Sequence, residues 1–169
     1  MKKTLIDKIP NKVPQELKHL IAGADIYDSS SSPEARVYFI DRDGGYYLKC
    51  AKTGTLEKEA KMTQYFHSKN LGAEVLNYSS NDHDWLLTKA VVGKDCVDNE
   101  YLANPKRLYD TIATELRKLH EIDYSDCPVM NRTTEYLAKA ENNYRTGNYD
   151  KSSFPDSFGY RSAEQAHEV

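Results

Sequence analysis

Two short β-type runs, set close together, constrain this chain more than any other feature in it. Residues 36–40 (RVYFI) and 46–50 (YYLKC) are rich in β-branched and aromatic residues, and DRDGG lies between them. Asp-Gly and Gly-Gly accept the positive φ of tight turns, so the two runs read as an antiparallel hairpin. A helical pattern follows over 55–69, with Thr55 as its expected N-cap and Gly72 just past its end. Residues 74–78 and 84–88 then read as two further strands joined through SSNDH. Upstream, 14–22 supports a short helix at best, and DSSSSP at 28–33 is a loop by composition. The order strand, strand, helix, strand, strand places the first half of the chain in the α+β class.

The character changes after Gly93, where no further strand is expected. Asn104-Pro105 is a helix start, with Asn as N-cap and Pro at the first helical position. Leu108, Ile112, Leu116 and Leu119 make one apolar stripe that runs to His120, and DYSDCP ends it. A further helix is expected over 133–144, closed by Gly147. The following segment begins as a loop, and Ser162 caps a last helix. The expected organisation is a small α+β lobe over 1–91 and a helical region over 92–169.

Composition narrows the class of function. Hydrophobic residues make up 39% and charged residues 29%, as in globular domains, and the net charge of −3 is interspersed. The largest basic run is Lys2-Lys3, which argues against a nucleic-acid partner. No apolar run approaches the roughly 18 residues of a membrane span, and the N-terminus lacks the apolar core of a signal peptide. The three cysteines, Cys50, Cys96 and Cys127, are odd in number and lack Cys-x-x-Cys spacing, which favours a reducing cytoplasm over a disulfide framework.

The hairpin carries a chemical oddity. Alternate strand residues share a face, so Tyr46, Leu48 and Cys50 point one way and Tyr47 and Lys49 the other. On the helix, at about 100° per residue from Leu56, the apolar Ala60, Met62 and Phe66 gather on an arc near about 300°. Glu59 falls on that arc, and Glu57 falls near about 100°, on the wet face. An inward carboxylate is costly unless it meets a cation, and Lys49 is the nearest candidate. A strand lysine held by a helix glutamate is the arrangement with which protein kinases aim an ammonium at nucleotide phosphates. A strand lysine on its own is ordinarily a solvated residue, and Tyr47 on its own is ordinarily sheet packing. Beside such a lysine, Tyr47 is placed to stack on a flat base. The serine tract lacks the glycines of a Gly-x-Gly-x-x-Gly loop but offers N–H and O–H groups, and TKAVVG at 88–93 is a hinge with backbone groups for an adenine edge.

With these residues together, the chain resembles the aminoglycoside phosphotransferases, most closely the aminoglycoside 3′-phosphotransferases. LRKLHEIDYSDCPV at 116–129 is similar to the family's Leu-Arg-x-Leu-His-x-Ile-Asp-x-x-Asp-Cys-Pro segment nearly letter for letter. SPEARVYFI, YYLKC, LEKEAKM, WLLTKAVVG and TTEYLAKAENNYRTGNYD support it, so the likeness runs from about residue 15 to 160. The resemblance implies a protein-kinase-like fold: a small lobe of antiparallel sheet plus one helix, followed by the first helices of the helical lobe. It implies phosphorylation of an aminoglycoside hydroxyl with ATP and Mg²⁺. On it, Lys49 matches the lysine on the α- and β-phosphates, Glu59 its helix partner, and Tyr47 the adenine-stacking aromatic. Ser32 matches the serine of the loop over the phosphates, and Lys89 and Val91 the hinge that bonds adenine.

Other family elements are not in these residues. The family's catalytic loop reads His-Gly-Asp-x-x-x-x-Asn, and a later Asp-x-Gly also holds metal. None of His19, His67, His83, His120 or His167 is followed by Gly-Asp, and the sole Asp-x-Gly, at Asp43, lies in the hairpin turn. The expectation is a chain with no catalytic residue and no metal ligand of its own, inactive alone. Its aminoglycoside-binding residues are unknown. Asp150 and Asp156 are either the first edge of that pocket or a solvated loop. Two alternatives stand beside this. One is a non-catalytic adenine-nucleotide-binding or interaction module. The other is a pair of chains in which a second supplies the missing C-terminal part and covers the stripe on 108–119.

Overall fold

The computed structural model describes residues 3–130, 132–150 and 159–167. The hairpin is the centre of the first half. Around it stand β1 (Thr4–Ile6), β2 (Asp25–Asp28), β3 (Ala35–Asp41), β4 (Tyr46–Ala51), β5 (Val75–Ser80) and β6 (Asp84–Lys89). They form an antiparallel sheet in the order β1-β2-β3-β4-β6-β5. The hairpin turn uses positive φ at Asp43, Gly44 and Gly45, which is what DRDGG allows. A 3-10 turn (Gln15–Leu17) and α1 (Lys18–Ile21) occupy the short-helix region.

Alternation along β4 divides the sheet into two faces. Leu48 and Cys50 enter a core with Tyr38, Ile40, Trp85 and Leu87, closed over by Ile9, Val13 and Leu17. Tyr38, Ile40 and Leu48 are each at most 1% exposed, and full burial of one such side chain contributes about 1.5–3 kcal/mol. The opposite face carries Ala51 and Leu86, against which α2 (Glu57–Ser68) sets Ala60, with Leu56 just before it.

Several boundaries differ from the expectation. Strands β1 and β2 are additional: TLI and DIYD are too short, and β2 too acidic at its ends, to stand out as strands without their neighbours. Helix α2 begins at Glu57 and not at Thr55, whose hydroxyl turns back to the Lys52 carbonyl at 2.6 Å. Its first turn is held instead by Asp84 of β6, which accepts from the N–H groups of Gly54 (3.0 Å) and Leu56 (2.8 Å) and from the Ser80 hydroxyl (2.6 Å). A four-residue helix, α3 (Asn99–Leu102), is also additional, capped by Asp98 through the Glu100 N–H at 2.9 Å.

Helix α4 (Pro105–His120) matches the sequence reading at both ends, and the Asn104 side chain accepts from the Arg107 N–H at 3.1 Å. Its stripe is open: Ile112, Leu116 and Leu119 are 38%, 47% and 41% exposed. The DYSDCP segment then returns to α2. The Tyr65 hydroxyl donates to the Asp123 carbonyl at 3.2 Å, Lys69 pairs with Asp126 at 3.0 Å, and Cys127 touches Met62 sulfur to sulfur at 3.9 Å.

The chain divides into two compact units, 1–128 and 129–169. In the second, α5 (Arg132–Thr146) runs slightly longer than expected and ends at Gly147, whose φ of 66° and N–H to the Tyr144 carbonyl close the helix. Helix α6 (Ala163–His167) follows Ser162, whose hydroxyl accepts from the Gln165 N–H at 3.3 Å. The His167 ring stacks on Tyr144 at 4.1 Å and bonds Glu141 at 2.6 Å. Asp150 is exposed, and Asp156 lies outside the described residues.

Candidate functional site

The face of the sheet that carries Tyr47 and Lys49 is the one on which α2 lies, and the pair foreseen from alternation forms there. The Lys49 ammonium meets both oxygens of Glu59, at 2.9 and 2.7 Å. The side chains are 28% and 42% exposed, so the pair is reached by water. An ion pair this open stabilises the fold by about 0–1 kcal/mol. Its consequence is geometric: two contacts fix one ammonium at one point of the sheet. Glu57, two residues earlier, points outward and pairs with Lys61 at 2.6 Å.

Tyr47 is half-buried and stands on the Lys49 face. Its ring lies 5.2 Å from Phe39, its cross-strand partner in β3, at a tilt of 53°. Tyr27 of β2 continues the row, 6.2 Å from Phe39. The Lys3 ammonium lies over this row, 3.1 Å from the Phe39 centroid and 5.7 Å from that of Tyr47. Phe39 and Lys3 were not singled out from sequence. The signal was available for Phe39, because a hairpin turning through DRDGG sets it opposite Tyr47; nothing local pointed to Lys3.

The hinge is divided between fold and site. The Lys89 N–H is taken by the Glu74 carbonyl at 2.9 Å, so a base could bond Lys89 only at its carbonyl. The Lys89 side chain turns back over the hairpin, with its ammonium on the Asp43 carbonyl and 4.2 Å from the Tyr46 ring centroid. The Ala90 N–H bonds the Gly45 carbonyl at 3.0 Å. Val91 is 72% exposed, and its N–H makes no hydrogen bond among the described residues.

The serine loop between β2 and β3 is folded on itself. Ser30 receives the Val37 N–H on its hydroxyl at 3.0 Å and gives its own N–H to Asp28 at 2.8 Å. The hydrogen bonds of Ser30, side chain and then backbone, hold the Asp28 carboxyl below its ordinary value. Ser32 is exposed, and its hydroxyl hydrogen bond lowers the Glu34 carboxyl. The hydrogen bonds of Lys49 go to Glu59, and none joins Ser32 to it among the described residues.

Two further groups lie near the site: Asp84, on the same face at the start of α2, and Cys50, in the core on the opposite face. Burial acts to raise the Asp84 carboxyl, but the bonds from Ser80, Leu56, Gly54 and Tyr78 together outweigh it and leave it lowered. Asp84 therefore stays ionised and anchors the start of the helix that bears Glu59. It is a further residue that sequence reading missed, since its backbone partners are 28 and 30 positions away. Burial, with the Asp84 charge, pushes the Cys50 thiol up to about 11, which makes it an inert core residue. No cluster of three or more His, Cys, Asp or Glu suited to a metal ion occurs among the described residues, and no helix among them is long and apolar enough to cross a membrane.

Comparison with known proteins supplies the context. The model of the phosphotransferase enzyme family matches residues 29–168. A probable aminoglycoside 3′-phosphotransferase of Lactococcus lactis subsp. lactis (strain IL1403) is 44% identical over 158 residues, covering 93% of this chain and 60% of that protein. An aminoglycoside 3′-phosphotransferase of Escherichia coli is 36% identical over 77 residues, 44% of this chain and 28% of that protein. The crystal structure of an aminoglycoside-3′-phosphotransferase of type VIII superposes with a TM-score of 0.67 at 19% identity, over 89% of this chain and 61% of that one. At that identity the likeness establishes the fold, which is the α+β, kinase-like fold of these enzymes. The chain thus spans about three-fifths of the length of its Lactococcus relative.

Proposed function

The chain belongs to the phosphotransferase enzyme family, and on that premise we propose that it carries the nucleotide-binding part of an aminoglycoside 3′-phosphotransferase, an antibiotic-resistance kinase. The observation that carries the reading is the Lys49 ammonium fixed by both oxygens of Glu59, on the open sheet face beside Tyr47. These residues fit a nucleoside triphosphate: a cation for phosphate, an acid to aim it and a ring for the base. When bound, ATP supplies the phosphoryl group that is transferred.

Each residue then has a separate task. Lys49 binds the α- and β-phosphates, and Glu59 positions it. Tyr47 stacks on the base, while the Lys89 carbonyl and the Val91 N–H meet its edge. Ser32 contributes from the loop above the phosphates. Residues 1–91 act as the small lobe, and 92–169 as the hinge and the start of the helical lobe. On the resemblance, the metal ligands and the catalytic aspartate are assigned to the part of the relatives that this chain does not match. The aminoglycoside is the second substrate, and the protein works in the cytoplasm. Without those groups the 169 residues alone have no turnover, because phosphoryl transfer depends on positioning and charge stabilisation.

The test is ATP titration of this chain and its Lys49→Ala variant, with an assay of kanamycin phosphorylation. ATP binding that weakens at least tenfold in the variant, with no turnover by either, is expected. Unchanged ATP affinity in the variant contradicts the lysine's role, and turnover by this chain contradicts the assignment of catalysis elsewhere.

The open stripe of α4 favours a second reading, in which the C-terminal part arrives as a separate chain and covers it. Mixing the chain with the remaining two-fifths of its Lactococcus relative should then restore turnover.

A further inference from the structure

We propose that the Phe39 ring is a second contact surface for the nucleotide base, and that Lys3, which lies over it, is the group an entering base displaces. The inference rests on the nucleotide reading given above and adds two residues to it.

Two observations converge on Phe39. It faces Tyr47 across the β3–β4 ladder, and cross-strand partners share a face, so both rings stand on the side of Lys49. Its far edge reaches the hinge: a Cβ on Gly45 would lie 2.7 and 2.9 Å from Phe39 Cε2 and Cζ, and 3.1 Å from the Ala90 Cβ. Gly45, at φ 92°, therefore leaves room for the ring just where the hinge begins. A base stacked on Tyr47 and bonded to the hinge has Phe39 beside it. Because the rings are tilted by 53°, one flat base cannot lie parallel to both. Tyr47 takes the stacked contact and Phe39 an edge contact, a favourable aromatic geometry.

Lys3 occupies this surface in the structure. Its ammonium is 3.1 Å from the Phe39 centroid, closer than the roughly 3.5–4.0 Å at which a base atom would rest on the ring. Ammonium and base cannot share that side of Phe39. Lys3 is exposed and held in place by β1, where Thr4 pairs with Asp28, so it can swing out without unmaking the core. An exposed cation–π contact is weak enough for a ligand to displace.

The experiment is an aromatic NMR titration of the full chain with adenosine, ATP and inorganic tripolyphosphate, repeated on Lys3→Ala and Phe39→Leu. Adenosine and ATP should shift the ring signals of both Tyr47 and Phe39. Lys3→Ala should bind adenosine about 2- to 5-fold more tightly. Phe39→Leu should bind it about 3- to 10-fold more weakly, with tripolyphosphate unaffected. The sign for Lys3 is decisive, since loss of a cation that merely attracts anions would not tighten an uncharged nucleoside. Tyr47 shifts without Phe39 shifts, or weaker adenosine binding by Lys3→Ala, overturn this inference and leave the nucleotide reading intact. No ring shift with adenosine or ATP overturns both. If Phe39→Leu loses the parent's far-UV spectrum, Lys3→Ala and the ring shifts decide.

Discussion

Helices α2 and α4 are both amphipathic and both carry a defined cap, yet they are held in opposite ways. Helix α2 starts where Asp84, from a strand 28 residues downstream of Leu56, binds the N–H groups ahead of it. It sets Ala60 and Tyr65 inward, at 5% and 8% exposure. Helix α4 is capped by its own Asn104, and its stripe stays between 38% and 47% exposed from Ile112 to Leu119. A helix fixed by the tertiary structure can bear a functional side chain at a defined point, as α2 bears Glu59. A helix capped by its own sequence can keep its shape while its apolar stripe stays open.

The largest way to break the contrast is Asp84→Ala. It strips partners from two backbone N–H groups and a hydroxyl, and should cost about 3–5 kcal/mol in urea unfolding. Loss below 1 kcal/mol would mean that α2 caps itself. The same residue sets an acid limb. Its carboxyl is lowered in the folded state, so the unfolded chain binds the proton first as pH falls. That stability is complete above the unfolded value of 3.8 and is lost as pH falls through the lower folded value. Parent and Asp84→Asn stabilities should therefore converge in acid, below about pH 3.8.

Next in size is a matched pair of leucine truncations. Leu56, 4% exposed at the start of α2, should lose about 2–4 kcal/mol on change to Ala. Leu116, 47% exposed in α4, should lose under about 1 kcal/mol in the same denaturation series. Equal losses would show that something covers α4 in solution. Smallest is Asn104→Ala, which should cost about 1 kcal/mol and fray only the first turn of α4, read by hydrogen exchange.

The same contrast explains what was legible in the sequence. The hairpin, the bounds of α4 and the Gly147 stop follow from signals within a few residues, and all are where they were expected. The inward glutamate was legible because strand and helix periods place Lys49 and Glu59 independently of the rest. The start of α2 was not, because Thr55 is a sound local cap that a buried carboxylate from β6 displaces. Strand β2 owes its form to pairing with β3, and β1 to pairing with β2, and Lys3 reaches Phe39 only through them. None of these distant pairings leaves a periodic trace.

The central claim is that Glu59 acts through Lys49 to aim one ammonium at a nucleotide. A double-mutant cycle on ATP affinity, with Lys49→Ala, Glu59→Gln and the pair together, tests it most directly. The account predicts that each single change weakens ATP binding and that the double variant is no weaker than Lys49→Ala alone, because Glu59 has no other task there. Losses that simply add, or ATP affinity untouched by Glu59→Gln, would contradict it.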